Sequence, residues 1–299
     1  MNEELKKKYI LAGKIAGEAR EFARQMTKPG AKIRDICQKT EEKIRELGGE
    51  PAFPTNISIN ERAAHDTALS NDERVIKEGD LVKIDVGAHV DGYIGDTACS
   101  VTYNKSYETL IKAVENALSE AIKLCTPGRK LEEISATIEK IIKSYGYLPI
   151  SNLTGHGLER FNLHAQPQIL NVSCKTTYQL KEGQTIAIEP FATLPSGAGK
   201  IKDIAEKKIY MLINPKPVRN RNAKLIMNFA KRYNGLPFAL RWLPVQGFGL
   251  LVALKELEQK NIIYDYPVLS EINKEPISQA EHTVIVAEEP IVTTEIRAK

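Results

Sequence analysis

Cysteine is scarce in this sequence of 299 residues, and the cysteines do not come in pairs. The four that are present are Cys37, Cys99, Cys125 and Cys174, and no two of them form a CxxC motif. A disulfide framework or a zinc knuckle is therefore not expected, and a reducing cytosol fits this usage best. Histidine is also scarce, with five residues, so any histidine in a motif-like setting carries weight.

Long apolar stretches are missing as well. No apolar run approaches the roughly 18 residues that are needed to cross a bilayer, and the first eight residues, MNEELKKK, lack the apolar core of a signal peptide. We therefore expect a cytoplasmic protein without a membrane partner. With 42% apolar and 27% charged residues, the composition is typical of a globular protein with a sizeable core and excludes disordered and collagen-like classes.

The net charge of +4 is distributed unevenly along the chain. Residues 200–260 contain thirteen Lys or Arg and four Asp or Glu, a local charge of +9 that leaves −5 for the rest. Such a concentration of positive charge indicates a segment with its own environment or partner. The sequence leaves open the alternative that this segment is a basic surface that only faces solvent.

Two segments about a hundred residues apart share one pattern. Residues 29–48 and 127–146 both begin with Pro-Gly, continue with apolar residues at helical spacing and end at a glycine suited to a helix C-cap. Each is preceded by another helix-like stretch, over residues 3–26 and 106–125. This repeat predicts an intramolecular duplication of a helix–turn–helix unit.

The strand regions of the two halves are also related. In each half, Lys-Glu-Gly leads into a β-rich run that ends in a carboxylate, at residues 77–85 and again at 181–189. Asp85 and Glu189 therefore occupy equivalent positions. Together with the helix repeat, this predicts an α/β architecture built from two similar halves.

Asp85 and Asp96 flank a stretch that is prone to turn. The midpoint between them falls at Val90 and Asp91, so a hairpin would place the two aspartates directly opposite each other. Like charges at opposed positions are destabilising, and a cation between them would remove that penalty. For this pair alone, two aspartates on an exposed hairpin are the alternative.

Three further residues add metal-ligand chemistry. His156 lies between two glycines, and Glu189 and Glu281 each stand at an apolar, β-like run, where a buried acid is costly without a partner. Four carboxylates and one imidazole suit two divalent ions of the manganese, iron or cobalt type better than structural zinc. Two such ions about 3.5–4 Å apart can share a hydroxide and hold it over a carbonyl.

The order of these five residues resembles the ligand set of the methionine aminopeptidases: Asp85, Asp96, His156, Glu189 and Glu281. The resemblance covers nearly the whole chain. Residues 53–56 (Phe-Pro-Thr-Asn) and 63–66 (Ala-Ala-His-Asp) match the family's segment before the first aspartate, and residues 163–165 (Leu-His-Ala) match its second histidine motif. It implies the pita-bread fold, an α/β (α+β) structure with an internal pseudo-two-fold duplication, which agrees with the repeats.

The resemblance also implies a role for each metal ligand. Asp96 and Glu281 would bridge two divalent metal ions, and Asp85 would chelate one of them. His156 and Glu189 would bind the other ion. The metals would be cobalt, manganese, iron or zinc, and a hydroxide bridging them would attack the scissile carbonyl while Glu189 relays the proton.

The substrate implied by the resemblance is the N-terminal methionine of a nascent chain whose second residue is small. His65 and His164 would contact the scissile peptide and stabilise its developing negative charge. Phe53 would line the pocket for the methionine side chain, and Tyr266 lies where the family has a pocket tyrosine.

The ligand spacing indicates a subtype of this family. The first two carboxylates are 11 residues apart, whereas Glu189 and Glu281 are 92 apart. By resemblance, type II enzymes carry a helical insertion here, and the absence of a long charged N-terminal extension matches the compact archaeal form. We therefore expect a catalytic domain over residues 1–192 and 272–299 and an insertion subdomain over 193–271.

Further expectations concern the insertion and its partners. Residues 222–233 and 249–260 look helical and would lie inside it. We expect the basic face of the insertion to bind ribosomal RNA weakly. The protein itself is expected to act as a monomer. The basic residues expected to form that face are Lys207, Lys208, Arg219, Arg221, Lys224, Lys231 and Arg232.

Two alternative functions stay open. Pita-bread relatives that lost their ligands serve as non-catalytic RNA- or chromatin-associated proteins, although all five ligand positions are intact here. A proline-specific aminopeptidase or a creatinase-like enzyme is the third hypothesis. Those relatives usually carry an extra N-terminal domain, for which this chain is expected to have no room.

Overall fold

Helices and antiparallel sheets alternate along the chain. The computed structural model describes residues 1–296. The helices are α1 (Glu3–Met26), α2 (Ile33–Glu46), α3 (Glu108–Ile122), α4 (Leu131–Ser144), α5 (Arg221–Ala230) and α6 (Gly247–Gln259). Within the described residues, none of these helices combines the length and the apolar character that spanning a bilayer requires.

The strands form four antiparallel sheets in the described part of the chain. Short 3₁₀ helices lie at Lys105–Tyr107, Lys231–Tyr233 and Leu240–Trp242. The strands are β1 (Glu50–Pro51), β2 (Asn56–Ile59), β3 (Arg62–Ala64), β4 (Leu81–Val90), β5 (Tyr93–Thr102), β6 (Leu148–Pro149), β7 (Thr154–Glu159), β8 (Asn162–Leu170), β9 (Thr185–Ile188), β10 (Phe191–Thr193), β11 (Ile201–Leu212), β12 (Phe238–Ala239), β13 (Ile263–Glu271), β14 (Ile277–Gln279), β15 (His282–Ile285) and β16 (Ile291–Val292).

The predicted duplication of the helices is confirmed. α2 and α4 begin 98 residues apart, and each is followed by a glycine with positive φ, Gly48 at 88° and Gly146 at 82°. In the first half, α1 and α2 pack on β2 and β4 in one apolar cluster. In the second half, α3 and α4 pack on β9 and β15 in another. Each half therefore buries the apolar faces of its helix pair against its own sheet.

The hairpin of β4 and β5 forms, but its register differs from the prediction. Asp85 pairs with Ala98 and not with Asp96, so the two aspartates are diagonal neighbours on one face of the sheet. The turn consists of Asp91 and Gly92, whose φ values are 52° and 87°, as a two-residue type I′ turn requires. Because this turn sets the register, the prediction of directly opposed aspartates was wrong.

The two halves are joined beside these aspartates. Glu281 forms a β-bridge with Ala98 of β5, in which the Glu281 N–H donates to the Ala98 carbonyl at 2.9 Å. The Asp96 N–H donates to Thr283 Oγ1 at 2.7 Å, and the same hydroxyl donates to the Asp96 carbonyl at 2.8 Å. The first hairpin and the C-terminal strand are therefore fixed against each other at the centre of the molecule.

The segment between residues 193 and 271 has a core of its own. β11 pairs with β12 and β13, and α5 and α6 cover them in a separate apolar cluster. The helices lie within a few residues of the predicted 222–233 and 249–260, which confirms those two predictions. Lys208, expected on the exposed basic face, is instead buried with 5% of its surface exposed. The division into two domains stays a prediction, and its last residues, 297–299, lie outside the described part of the chain.

Helix α1 approaches strand β5 closely because two glycines face each other. A Cβ atom added to Gly95 would lie 2.4 Å from the Gly13 Cα and 2.5 Å from the Gly13 nitrogen. These are backbone atoms of α1, so the overlap could be relieved only by moving the helix. Gly95 precedes Asp96 in the chain, and this contact therefore helps to fix the position of Asp96 relative to α1.

We predict that Gly95→Ala lowers the free energy of unfolding by about 1–3 kcal/mol, the usual cost of overpacking, as measured by urea denaturation. Gly79→Ala is the matched control, because a Cβ there would meet nothing within 4 Å. Its stability should be unchanged or slightly higher. Equal losses at both positions would show that the contact with α1 is not tight.

Candidate metal centre

The five predicted ligands come together where the two halves meet. Asp85 lies on β4 and Asp96 on β5, and both point to one face of the hairpin. His156 lies inside β7. Glu189 directly follows β9 and Glu281 directly precedes β15. All five side chains line one cavity.

The distances fit metal coordination. His156 Nε2 lies 3.6 Å from Glu189 Oε1 and 3.8 Å from Asp96 Oδ2. Ligand atoms of Asp96, His156 and Glu281 all lie within 4.8 Å of one another. Two atoms that bind one ion at about 2.1 Å each are at most about 4.2 Å apart. The imidazole and its two acidic neighbours are therefore within reach of a single cation.

The four carboxylates are buried or half-buried and only partly satisfied by the protein. Asp96 and Glu281 are 3% and 2% exposed. Asp85 Oδ1 and Asp96 Oδ1 are buried and have no hydrogen-bond partner among the described residues. A buried charge without a partner is strongly unfavourable. The donor set therefore fits divalent cations, which prefer carboxylate oxygen and imidazole nitrogen of this kind.

Burial and mutual repulsion shift the pKa values at this site. Burial raises the pKa of Asp85 to about 7. Burial, and then the charges of neighbouring carboxylates, raise the pKa values of Asp96, Glu189 and Glu281 well above their usual range. Burial lowers the pKa of His156 to about 4, so its imidazole is neutral, as a metal ligand must be. The electrostatic cost of bringing these acids together is what a bound cation would offset.

Two residues at this site were missed by the sequence analysis. The Gln279 Nε2 donates to Glu189 Oε2 at 3.5 Å, and a hydrogen bond from Gln279 partly offsets the rise in the pKa of Asp85. Asn56 pairs with Asp85 across β2 and β4 and lines the cavity. The available signals were weak: Gln279 precedes Glu281 by two residues, a spacing that shares one face of an extended chain.

The whole cavity has a volume of about 240 Å³. The side chains that line the rest of it would form a wall around a substrate. His164 lies next to His156, with ring centroids 4.7 Å apart, and 6.0 Å from the ring of Tyr266. His65 packs edge-on against the other side of Tyr266 at 5.2 Å. Phe53 is 6% exposed and contributes an apolar surface. All nine residues singled out from the sequence therefore line the same cavity, and their individual roles stay predictions.

The two histidines of this wall are neutral near pH 7. Burial lowers the pKa of His65, and burial together with the neighbouring imidazoles lowers that of His164 well below its usual value. A neutral imidazole carries one N–H donor and one acceptor. In His65 the N–H lies on Nδ1, because Nδ1 faces the Pro267 carbonyl at 3.1 Å, and Nε2 is left as an acceptor. His164 can donate a hydrogen bond to a carbonyl oxygen bound in the cavity without adding a charge to it.

Sequence comparisons place these residues in a known context. The model described as "Metallopeptidase family M24" matches residues 7–219. The chain is 46% identical over 286 residues to the methionine aminopeptidase of Thermococcus onnurineus, covering 94% of this chain and 96% of that protein. It is 44% identical over 293 residues to the methionine aminopeptidase of Pyrococcus horikoshii, covering 96% and 99%.

Solved structures share the fold. A thermophilic Arx1 matches with a TM-score of 0.86 at 19% identity, covering 100% of this chain and 92% of that one. The methionine aminopeptidase of Thermotoga maritima matches with 0.73 at 24% identity, covering 99% and 98%. The prolidase of Pyrococcus furiosus matches with 0.65 at 21% identity, covering 99% and 65%. The predicted pita-bread fold is thereby confirmed.

We predict that divalent metal raises the melting temperature of the protein, and that Asp96→Asn abolishes most of this rise because it removes a ligand. In the presence of EDTA the same variant should be at least as stable as the parent, since one of four clustered negative charges is gone. The measurement is thermal unfolding with EDTA and with added Mn²⁺ or Co²⁺.

Asp91→Asn is the control for this experiment. Asp91 occupies the turn of the same hairpin, is exposed, and asparagine suits a type I′ turn equally well. This variant should keep the full metal-dependent rise. If Asp96→Asn also keeps it, the carboxylate is not a ligand.

Proposed function

The chain belongs to metallopeptidase family M24 and, within it, to the methionine aminopeptidases, and from this we propose that it removes the initiator methionine of nascent proteins whose second residue is small. The observation that carries the proposal is the meeting of five metal-ligand side chains and two neutral histidines around one cavity. A hydrolase of this kind needs a metal site beside a pocket for the methionine side chain.

Enzymes of this family use divalent metal ions, and we propose that two ions bind here. The residues that would hold them are Asp85, Asp96, His156, Glu189 and Glu281. Bound ions of this type polarise a carbonyl and make water a potent nucleophile at neutral pH. Their identity stays open among cobalt, manganese, iron and zinc.

The protein's own side chains would perform the remaining tasks. His164 would donate a hydrogen bond to the scissile carbonyl, where negative charge develops during attack. His65 would contact the scissile peptide through Nε2, which can accept from the peptide N–H. The Glu189 carboxylate would take up a proton and pass it to the leaving amine. Phe53 and Tyr266 would hold the methionine side chain, and their ring surfaces would exclude water around it.

We also propose that the chain is a type II enzyme. The segment over 193–271, placed between Glu189 and Glu281, would be the insertion that distinguishes this type. It has its own apolar cluster, and it adds Ile209, Pro237 and Tyr266 to the cavity. The insertion would therefore shape the substrate pocket as well as the outer surface.

We predict that the metal-loaded protein hydrolyses Met-Gly-Xaa peptides and does not hydrolyse Xaa-Pro peptides at a comparable kcat/KM. An apolar pocket separates side chains by only about 1–3 kcal/mol per methylene, so leucine should be disfavoured modestly and charged residues strongly. Preference for Xaa-Pro substrates would support a prolidase-like enzyme, to which the fold is also similar. Equal turnover of Met-, Lys- and Glu-initiated peptides would contradict a selective pocket.

Two variants separate catalysis from metal binding in this assay. His164→Ala should lower kcat by about 10²-fold or more, the usual cost of losing a transition-state donor, while the metal content is unchanged. Asp96→Ala should lose metal and activity together. Full activity in both variants would refute the assignment.

We further propose that the basic face of the insertion docks weakly on ribosomal RNA, where nascent chains emerge. Lys208 is buried, and Lys207 of the predicted face is exposed but paired with Asp265 at 2.8 Å. The face therefore consists of the exposed cations of α5 and its flanks. They are Arg219, Arg221, Lys224, Lys231 and Arg232. The stretch from Lys207 to Lys255 contains no Asp or Glu, so nothing within it offsets this charge. Cytosolic location and a monomeric state stay predictions.

We predict that reversing Arg219, Arg221, Lys224 and Lys231 to Glu reduces co-sedimentation with ribosomes at low salt and leaves tripeptide hydrolysis unchanged. Binding through phosphates releases counterions, so the parent's binding should weaken steeply as salt rises. The control reverses four exposed lysines away from this face: Lys28, which follows α1, and Lys39, Lys112 and Lys140 of the other helices. Unaltered co-sedimentation, or none in the parent, would remove the docking proposal alone.

A further inference from the structure

His65 has an uncommon backbone conformation for a residue other than glycine. Its φ is 61°, in the left-handed region, where the Cβ of an L-residue comes too close to the following carbonyl oxygen. His65 directly follows β3, and its imidazole lines the cavity. Residues in such conformations persist only where their surroundings hold them there, and they concentrate at functional sites.

The next residue, Asp66, supplies those surroundings. Its side chain is fully buried, at 0% exposure. Arg62 and Arg74 donate to Asp66 Oδ2 at 3.0 Å and 2.8 Å, and Lys208 donates to Oδ1 at 2.6 Å. The Ile57 N–H donates to the Asp66 carbonyl at 2.8 Å. Both the side chain and the backbone of this residue are therefore held in place.

The cations around Asp66 are themselves paired. Glu206 accepts two hydrogen bonds from Arg62, at 2.6 Å and 2.9 Å, and lies 3.0 Å from Lys208 Nζ. Asp72 binds Arg74 at 2.7 Å. Three cations and three carboxylates thus form a network without net charge. Charge-assisted hydrogen bonds of this kind are about twice as strong as neutral ones.

The network connects the wall of the cavity to the neighbouring sheet. Arg62 belongs to β3, whereas Glu206 and Lys208 belong to β11. Farther along the same wall, Arg241 donates to Thr67 Oγ1 at 2.7 Å and to the Ala68 carbonyl at 3.1 Å. The residues that follow His65 are therefore tied to the 193–271 segment at two places.

The direction of the His65 ring depends on this backbone. Its Nδ1 lies 3.1 Å from the Pro267 carbonyl, and the ring packs edge-on against Tyr266. Asp66 does not line the cavity, so it has no contact with a substrate bound there. Any influence of Asp66 on the reaction must pass through His65.

We propose that Asp66 is a positioning residue for methionine removal. Its carboxylate, held by three cations, keeps His65 in the left-handed conformation that aims the imidazole at the scissile peptide. The inference rests on the proposed role of His65. On this proposal, an ion network that lies outside the cavity has a function in the reaction. The placement of the His65 imidazole then depends on β11, which carries Glu206 and Lys208.

The test begins with Asp66→Asn, which keeps the shape of the side chain but removes its charge. The variant places an amide among the donors Arg62, Arg74 and Lys208. With a Met-Gly-Xaa peptide, kcat should fall by about 10²-fold, the effect expected when a group that contacts the reacting atoms is displaced by 1 Å. The bound metal content should be unchanged. Asp72→Asn is the matched control, because it removes a carboxylate from the same network and leaves all three cations on Asp66. It should lower stability and leave kcat unchanged.

A double-mutant cycle distinguishes positioning from general damage. If Asp66 acts through His65, then Asp66→Asn should cause no further loss of kcat in a His65→Ala background. Losses that multiply in the double variant would overturn the proposal, as would a kcat unchanged by Asp66→Asn. If Asp66→Asn fails to fold, Lys208→Gln removes one of the three donors and is subjected to the same cycle.

A crystal structure of Asp66→Asn gives a readout that does not depend on activity. The φ of His65 should leave the left-handed region, and a φ that stays near 61° would overturn the proposal. If the parent protein fails to hydrolyse methionyl peptides, the proposed function is refuted. The conformation of His65 in the variant still decides whether Asp66 holds it.

Discussion

The mutual repulsion of four clustered carboxylates, two of them buried and two half-buried, is the constraint on which the rest of this structure depends. Asp85, Asp96, Glu189 and Glu281 are brought into one cavity from both halves of the chain. Burial raises the pKa of each, and neighbouring charges raise three of them further. Such a cluster destabilises the protein unless cations occupy it, so the fold must supply enough stability elsewhere to hold the ligands in place before metal binds.

That stability comes from rigid elements placed close to the site. The hairpin that carries two aspartates is closed by a type I′ turn at one end and pressed against α1 at Gly95. The Thr283 hydroxyl then holds Asp96 against the C-terminal strand through two hydrogen bonds with the Asp96 backbone. Sites built on strands and locked by surrounding contacts keep their geometry better than sites on loops. The duplication matters for the same reason, since each half contributes one packed helix pair behind its own ligands.

The substrate wall is held in a different manner. Phe53 and His65 lie on short strands and connecting segments of the first half, and these are supported by side chains from residues 193–271. Arg241 forms a buried ion pair with Glu41, and Glu41 Oε1 also accepts from the Thr55 N–H at 3.0 Å. Together with the network around Asp66, this gives the later segment two attachments to the wall. The predicted metal ligands therefore depend on the duplicated halves, whereas the wall that contains Phe53 and His65 depends on residues 193–271.

Several features of this protein were determined by its sequence alone. The helix repeat at an offset of 98 and a hairpin between Asp85 and Asp96 follow from local periodicity and turn chemistry, and the nine side chains of the shared cavity follow from the resemblance to a known family. The Asp91-Gly92 turn that sets the register is also a local signal, which the midpoint between the aspartates does not capture. Tertiary structure decided the rest. Lys208 is buried beside Asp66, and Gln279 contacts two carboxylates from a neighbouring strand. The left-handed conformation of His65 was also decided by tertiary structure. This conformation and the ion network beside it arise from packing between segments that are far apart in the chain, and the spacing of residues along the sequence does not encode such packing.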